Sequence, residues 1–272
     1  AQGRPGAAAV ARAEEFLSEA VRAEGGAPDA ELGRVYTAAL RVFAGAGDWD
    51  RVDAWLSEME RYRVLVRPTS YAVLFNACAD SAGAAAGAAA SSAAARALAR
   101  AEAYWERGIR ARVRPNRSMM NSLLKVYARA GDPRAAERRM WDLRQAHGLA
   151  PDMIGFNTLI GAYSQAGEAD KAKEVIARMR RTLVKPDAAS YTNLIKACAD
   201  ERQSAQAEQW LATMAGACVM PDVAAYNAAL NAAVRAGLNE ESTRGPRSEE
   251  LARMWRVFGA MPAHGVTPDA VT

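Results

Sequence analysis

The sequence predicts an all-α protein, a right-handed α-solenoid of stacked helix-turn-helix repeats, and three observations carry that expectation. Met153 to Asp187 and Ala188 to Asp222 are consecutive segments of 35 residues in register: Tyr191 falls where Phe156 stands, Met214 where Met179 stands, and Pro221 and Asp222 where Pro186 and Asp187 stand. Within Met153 to Asp187, two apolar faces of helical spacing flank a break at Gln165, Ala166 and Gly167. Lys185, Pro186 and Asp187 then close the segment, because Pro cannot continue a helix. A helix pair of this size cannot bury its apolar face alone, so neighbouring pairs stack and share a core.

Taken in order, residues 1–32 read as a partial, degenerate repeat. Glu14, Glu15, Phe16, Leu17, Ala20 and Val21 give an amphipathic helix, and Gly25, Gly26, Pro28 and Asp29 end it. Residues 33–69 form the first full repeat, with Tyr36, Leu40 and Phe43 on one helical face, Gly47 at the break, and Val52, Trp55, Leu56 and Met59 on the second face. Residues 70–116 follow. Their first helix is expected over Ser70 to Asp80 and their second from about Ala95, carrying Leu98, Ala101, Tyr104 and Trp105; the alanine-rich tract near 81–95 between them reads as an insertion weakened by Gly83 and Gly87. Residues 117–152, 153–187 and 188–222 keep phase. Residues 223–269 carry a second insertion near 238–250, polar and broken by Gly245 and Pro246, which reads as a mobile loop. Ala270 to Thr272 open a truncated further repeat.

Half of the residues are apolar but only 7% are aromatic, so the core must rest on regularly placed Leu, Ile, Tyr, Trp and Met rather than on the abundant alanine. Thirty-five basic against 31 acidic residues is a mild excess that suits an anionic partner without demanding one. Cys78, Cys198 and Cys218 make neither a disulfide framework nor a CxxC pair; Cys78 and Cys198 sit in the matching contexts NACAD and KACAD and read as small packing residues. No apolar run reaches membrane-spanning length, and no secretory signal core is evident. His147 and His264, the two histidines, lack metal-ligand spacing, and no phosphate-cradling loop or nucleophile set is present, so neither cofactor nor catalysis is expected.

Phe156-Asn157-Thr158-Leu159-Ile160, Tyr226-Asn227 with Leu230, the break glycine, the later Met and the closing Pro-Asp together resemble the pentatricopeptide repeat family over nearly all of residues 33–269. The Trp-x-x-Leu-Gly-x-x-Tyr start of the tetratricopeptide repeat is absent, and Trp55, Trp105, Trp210 and Trp255 sit in second helices, where they are expected to pack between helices.

The resemblance implies a single-stranded RNA partner read one base per repeat by the fifth residue of a repeat and the residue at its end. Those fifth residues are Thr37, Ala72, Asn121, Asn157, Thr192 and Asn227, and the matching ends are Thr69, Asn116, Asp152, Asp187, Asp222 and Asp269. Amide, hydroxyl and carboxylate groups give directional bonds to the base edges that single strands expose. Each closing Asp equally suits a helix N-cap, and a fifth-position Asn or Thr equally suits an exposed polar face; recurrence in four successive repeats favours a shared surface role. Carried over, the Asn/Asp pairs favour U and the Thr/Asp pair G, giving U, U, G, U for repeats three to six in 5′ to 3′ order. Thr37 with Thr69 and Ala72 with Asn116 depart from the usual pairs.

The resemblance also implies that second-position side chains sandwich each base; the matching positions are Ser118, Ile154, Ala189, Ala224 and Val271, of which Ile154 and Val271 fit, so thin stacking is expected. Arg129 and Arg235 match a phosphate-facing position that Gln165 and Asp200 do not. The run Arg107, Arg110, Arg112, Arg114 and Arg117 reads as a solvated surface able to steer RNA. The resemblance further implies a chloroplast or mitochondrial role in RNA processing, stability or translation, with organellar RNA-processing or ribosomal proteins as further partners and no membrane or small-molecule substrate. The alternative is a protein-interaction scaffold within an organellar ribonucleoprotein.

Overall fold

The computed structural model describes residues 30–61, 66–83, 88–237 and 248–267. Its regular structure is all-α among the described residues: twelve α-helices and one short 3₁₀ turn, Pro262–His264. The chain divides into two compact units, Ala1–Ala150 and Pro151–Thr272. The first contains α1 (Ala30–Ala46), α2 (Trp49–Arg61), α3 (Pro68–Gly83), α4 (Ala88–Arg110), α5 (Arg117–Arg129) and α6 (Pro133–His147). The second contains α7 (Met153–Gln165), α8 (Ala169–Arg181), α9 (Ala188–Asp200), α10 (Ser204–Gly216), α11 (Val223–Gly237) and α12 (Ser248–Ala260).

Inside each unit the helices stack as repeated pairs. In the first, α1, α3 and α5 pack side by side, with α2, α4 and α6 as their partners; in the second, α7, α9 and α11 pack in the same way, with α8, α10 and α12. This is a helical-repeat solenoid segment in each unit. One buried residue near the start of each first helix anchors the stack: Tyr36, Tyr71, Met120, Phe156, Tyr191 and Tyr226 are all at most 1% exposed. Met59, Met140, Met179 and Met214 close the core from the second helices. The repeating residues therefore set which helix faces are buried, and burial of their apolar area supplies most of the stabilisation.

The helix starts follow from the closing residues. Asn116, Asp152, Asp187 and Asp222 each accept a hydrogen bond from the backbone N–H three residues on, at 2.9, 3.0, 2.9 and 2.8 Å. Such caps satisfy donors that have no partner inside the helix. The mid-repeat break needs a left-handed residue: Gly167 supplies it with φ +69°, while Arg202 holds the equivalent place at φ +59°. A side chain there is strained, because Cβ crowds the backbone.

Three expectations are corrected by the structure. α3 runs through Gly83 and α4 begins at Ala88, so most of the alanine-rich tract is helical and the second helix starts ahead of Ala95; residues 84–87 are outside the described ones. Alanine loses no side-chain entropy in a helix, and this outweighs the interior serines. Second, Trp255 does not pack between the described helices. Trp105 is buried against Phe75, Trp55 lies edge-on to Tyr36 at 5.3 Å and Trp210 meets Tyr191 at 6.5 Å, but Trp255 stands 71% exposed on α12. Leu251 and Phe258 share its exposed face, because no further described helix covers α12. Third, Arg107 does not lie on a freely solvated face: its guanidinium meets Glu60 at 2.7 Å and Ser57 Oγ at 2.9 Å on α2. The amphipathic segment expected before residue 30 and the polar loop near 238–247 lie outside the described residues.

Cys78 and Cys198 are fully buried as packing residues, and desolvation pushes their thiols up to about 12 and about 11. His147 packs against Trp105, and the His264 ring shares a hydrogen bond with the Tyr226 hydroxyl at 2.5 Å. Among the described residues no cluster of His, Cys, Asp and Glu has the makings of a metal site, and no helix is long and apolar enough to cross a membrane.

Candidate functional site

The structure joins Asn157 and Asp187 directly. Asn157 is one residue past the buried Phe156 on α7, which turns it away from the core, and Asp187 caps the next first helix, α9. The Asn157 amide Nδ2 donates to Asp187 Oδ1 at 3.0 Å, across the repeat boundary. Ser190, fully buried, completes the cluster: its hydroxyl lies 2.5 Å from Asn157 Oδ1 and 2.9 Å from Asp187 Oδ1, and it accepts from the Asp187 backbone N–H at 3.2 Å. Asp187 and Ser190 also cap each other's backbone as a reciprocal box. Burial raises the Asp187 carboxyl, but the Ser190 backbone N–H, the Asn157 amide and the Ser190 hydroxyl outweigh it and hold the group below the ordinary aspartate value. Asp187 is thus both cap and pair member, so the two sequence readings are not exclusive. Ile154, on the same helix one turn earlier, is 59% exposed and available for contact.

The other described candidates lie on the first helices of their repeats or at the starts of the next ones. Thr192 is half-buried on α9, and its hydroxyl is shielded from solvent without a hydrogen-bond partner, while Asp222 caps α11 through Ala225 N–H. Asn227 lines a largely apolar groove of about 320 Å³ with Leu230, Trp255 and Phe258; its expected mate Asp269, and the stacking residue Val271, lie outside the described residues. Asn121 is half-buried on α5 in the first compact unit, and Asp152 caps α7 in the second. Thr69 is exposed in the first turn of α3 and Thr37 reaches past it to Ser70, whose hydroxyl is 2.7 Å away. Ala72 is buried, and Asn116 acts as the N-cap of α5.

Of the two candidate phosphate contacts, Arg129 is exposed in the last turn of α5, beside Gly83 of α3. Arg235 forms an ion pair with Asp200, which holds the same place in the preceding repeat. That partner neutralises much of the field an approaching phosphate would meet, so Arg129 is the better anion contact of the two.

Sequence reasoning missed three groups on these faces. Ser70 and Ser190 each precede the buried aromatic of their repeat and touch the fifth residue of the repeat before; the Asp187-x-x-Ser190 capping-box spacing was the available signal. Asn76 and Lys125 lie one turn beyond Ala72 and Asn121, and helical spacing by four places them on the same face. Lys125 meets Asn76 Oδ1 at 3.4 Å and Asp80 at 3.6 Å, and Asn76 donates to Ser122 at 3.2 Å. Arg41, Trp49, Asn76 and Asp80 line a neighbouring groove of about 600 Å³ between α1 and α3.

Comparison with known proteins places these repeats among characterised ones. Residues 64–199 match the family described as the pentacotripeptide-repeat region of PRORP, residues 182–236 match a pentatricopeptide repeat domain, and residues 34–64 match a single PPR repeat. A chloroplastic pentatricopeptide repeat-containing protein of Arabidopsis thaliana is 26% identical over 173 residues, covering 62% of this chain. The chain spans only 20% of that relative's length. Among solved structures, the maize pentatricopeptide repeat protein PPR10 aligns over 97% of this chain and 33% of its own, with a TM-score of 0.66 at 24% identity. The PPR domain of Arabidopsis thaliana protein-only RNase P 1, solved in complex with tRNA, aligns over 73% of this chain and 95% of its own, with a TM-score of 0.54 at 21% identity. At such identities these structures speak to the fold.

Proposed function

The chain belongs to the pentatricopeptide repeat family, and from that premise we propose that it is a sequence-selective single-stranded RNA-binding protein of organellar RNA processing, stability or translation. The observation that carries the reading is the bond between Asn157 and Asp187 across a repeat boundary. It sets an amide of fixed orientation beside an exposed aliphatic side chain, Ile154, on one face of α7. A base edge met by the amide and a base face met by Ile154 would be bound by directional bonds and by modest stacking together.

Two relatives lend support from their own RNA: PPR10 has been solved with a psaJ RNA element, and the RNase P 1 repeat domain with tRNA. The chloroplastic name of the Arabidopsis relative supports the organellar assignment. Here the repeats bind and do not break bonds. Asn121 with Asp152, Asn157 with Asp187, Thr192 with Asp222 and Asn227 with Asp269 are the reading pairs, for U, U, G and U. Arg129 contacts a phosphate, and Ile154 and Val271 stack.

Short RNAs test this. An oligonucleotide containing UUGU is expected to bind more tightly than one containing CCAC at the same salt concentration, each lost base contact costing roughly 1 kcal/mol. Equal affinity for both overturns base reading and leaves the scaffold alternative, which a stoichiometric protein complex copurified from the native source would favour.

A further inference from the structure

We propose that Ser190 is a specificity-positioning residue: from the place just before the buried Tyr191, it fixes the polarity of the Asn157 amide in the preceding repeat and so sets U over C at the base that repeat reads. The inference rests on the base-reading role given above.

The chemistry begins with what each group can offer. An ionised Asp187 has only acceptors, so the side of the Asn157 amide facing it must be the NH2, as its 3.0 Å contact requires. The opposite edge, Oδ1, then faces Ser190, whose single proton is shared between Asn157 Oδ1 at 2.5 Å and Asp187 Oδ1 at 2.9 Å, the amide contact being the shorter. Turning the amide over would set its carbonyl against the carboxylate and give up the serine proton. Two contacts, one to each end of the amide, therefore hold a single orientation.

That orientation matters because U and C present opposite patterns on the Watson–Crick edge. The exocyclic group at position 4 is an acceptor in U and a donor in C, and ring nitrogen 3 reverses in the opposite sense. An amide free to turn satisfies either base; a fixed one satisfies one of them. Ser190 is 0% exposed and has no direct access to a base, so it acts through Asn157.

The first compact unit repeats the device independently. Ser70, also 0% exposed and just before the buried Tyr71, lies 2.7 Å from Thr37 Oγ1. Thr37 gives its own proton to the Gly33 carbonyl at 2.7 Å, so Ser70 is the donor and the polarity of the Thr37 hydroxyl is fixed as well. Where the same place is taken by Ala225, the preceding fifth residue, Thr192, keeps a buried hydroxyl with no partner. The array thus has pinned and unpinned reading positions, chosen by a buried residue outside the reading pair.

The test compares RNAs containing UUGU and UCGU, which differ at the base assigned to Asn157, together with CUGU, UUAU and UUGC for the other three bases, on the wild-type chain, Ser190→Ala and Ser190→Thr. Thermal melting by circular dichroism checks that each variant is folded. The wild type is expected to prefer U at the second base. Ser190→Ala should reduce that preference roughly 2- to 10-fold, the worth of one hydrogen bond, with selectivity at the other three bases unchanged, and Ser190→Thr should retain it. A purely structural serine would weaken all four bases together. If the wild type shows no preference at the second base, base reading by this repeat fails; if it shows one that Ser190→Ala keeps in full, the positioning role is overturned while base reading stands. Should Ser190→Ala not fold, Ala225→Ser decides the matter: it should give Thr192 its missing partner and sharpen G over A at the third base, and an unaltered preference there overturns the proposal.

Discussion

The repeats Met153 to Asp187 and Ala188 to Asp222 have the same length, the same core positions and the same closing Pro-Asp, and two of their sequence differences fall at the break and on the reading face. In the first, the break residue is Gly167 and the fifth residue, Asn157, is bonded at both ends of its amide. In the second, Arg202 bears the left-handed backbone and Thr192 has a hydroxyl with no partner. Helices of the same length and register are therefore compatible with different local order on the reading face. The core fixes where that face lies, and single polar contacts decide how firmly each reader is held.

The largest test asks whether the shared core is truly equivalent. Phe156→Ala and Tyr191→Ala each remove a fully buried ring, and each is expected to destabilise by about 3–5 kcal/mol, read from urea unfolding. A difference between the two well beyond that range would break the equivalence of the repeats. Loss in both mutants should appear as a lower midpoint with little change in slope.

Next in size is the cap. Asp187 accepts from Ser190 N–H and from Asn157, whereas Asp222 accepts from Ala225 N–H. Asp187→Ala is expected to cost about 2 kcal/mol and Asp222→Ala about 1 kcal/mol by the same measurement. Equal costs would mean that the Asn157 bond contributes nothing to folding. The Asp187 carboxyl titrates below its ordinary value of 3.8 in the folded protein, so its stabilisation is present above that pH and is lost as pH falls through the lower folded value. Asp187→Asn should accordingly flatten stability against pH in the window below about pH 4.

The smallest effect concerns the break. Arg202→Gly relieves a left-handed side-chain residue and is expected to stabilise by about 0.5–1 kcal/mol, after the entropic cost of glycine, whereas Gly167→Ala should destabilise by about 1 kcal/mol. Both are read as shifts in melting temperature. Opposite signs sharpen the contrast between the repeats; a destabilising Arg202→Gly would show that the arginine side chain contributes more than its backbone costs.

Much of this was legible in the sequence because the repeat is periodic. Register alone predicted the helix pairs and set Tyr191 where Phe156 stands. It also placed Asn157 and Asp187 at matching ends of one repeat. The readings that failed were aperiodic. Glycine neighbours obscure the helix propensity of the alanines near residue 90, and position in a second helix does not reveal that no described helix covers Trp255 on α12. Asp200 beside Arg235 was invisible as a pair, since the two lie in different repeats and meet only when those repeats stack.

By itself, then, the sequence determined the helical period, the apolar faces, the turns and the capping residues, because each of these is settled within a few residues along the chain. The tertiary structure decided which polar groups share a proton: Ser190 with Asn157, Ser70 with Thr37, Arg235 with Asp200. Those choices depend on distances of about 3 Å between residues some 30 positions apart, and a hydrogen bond falls off too steeply with distance and angle for spacing alone to specify it.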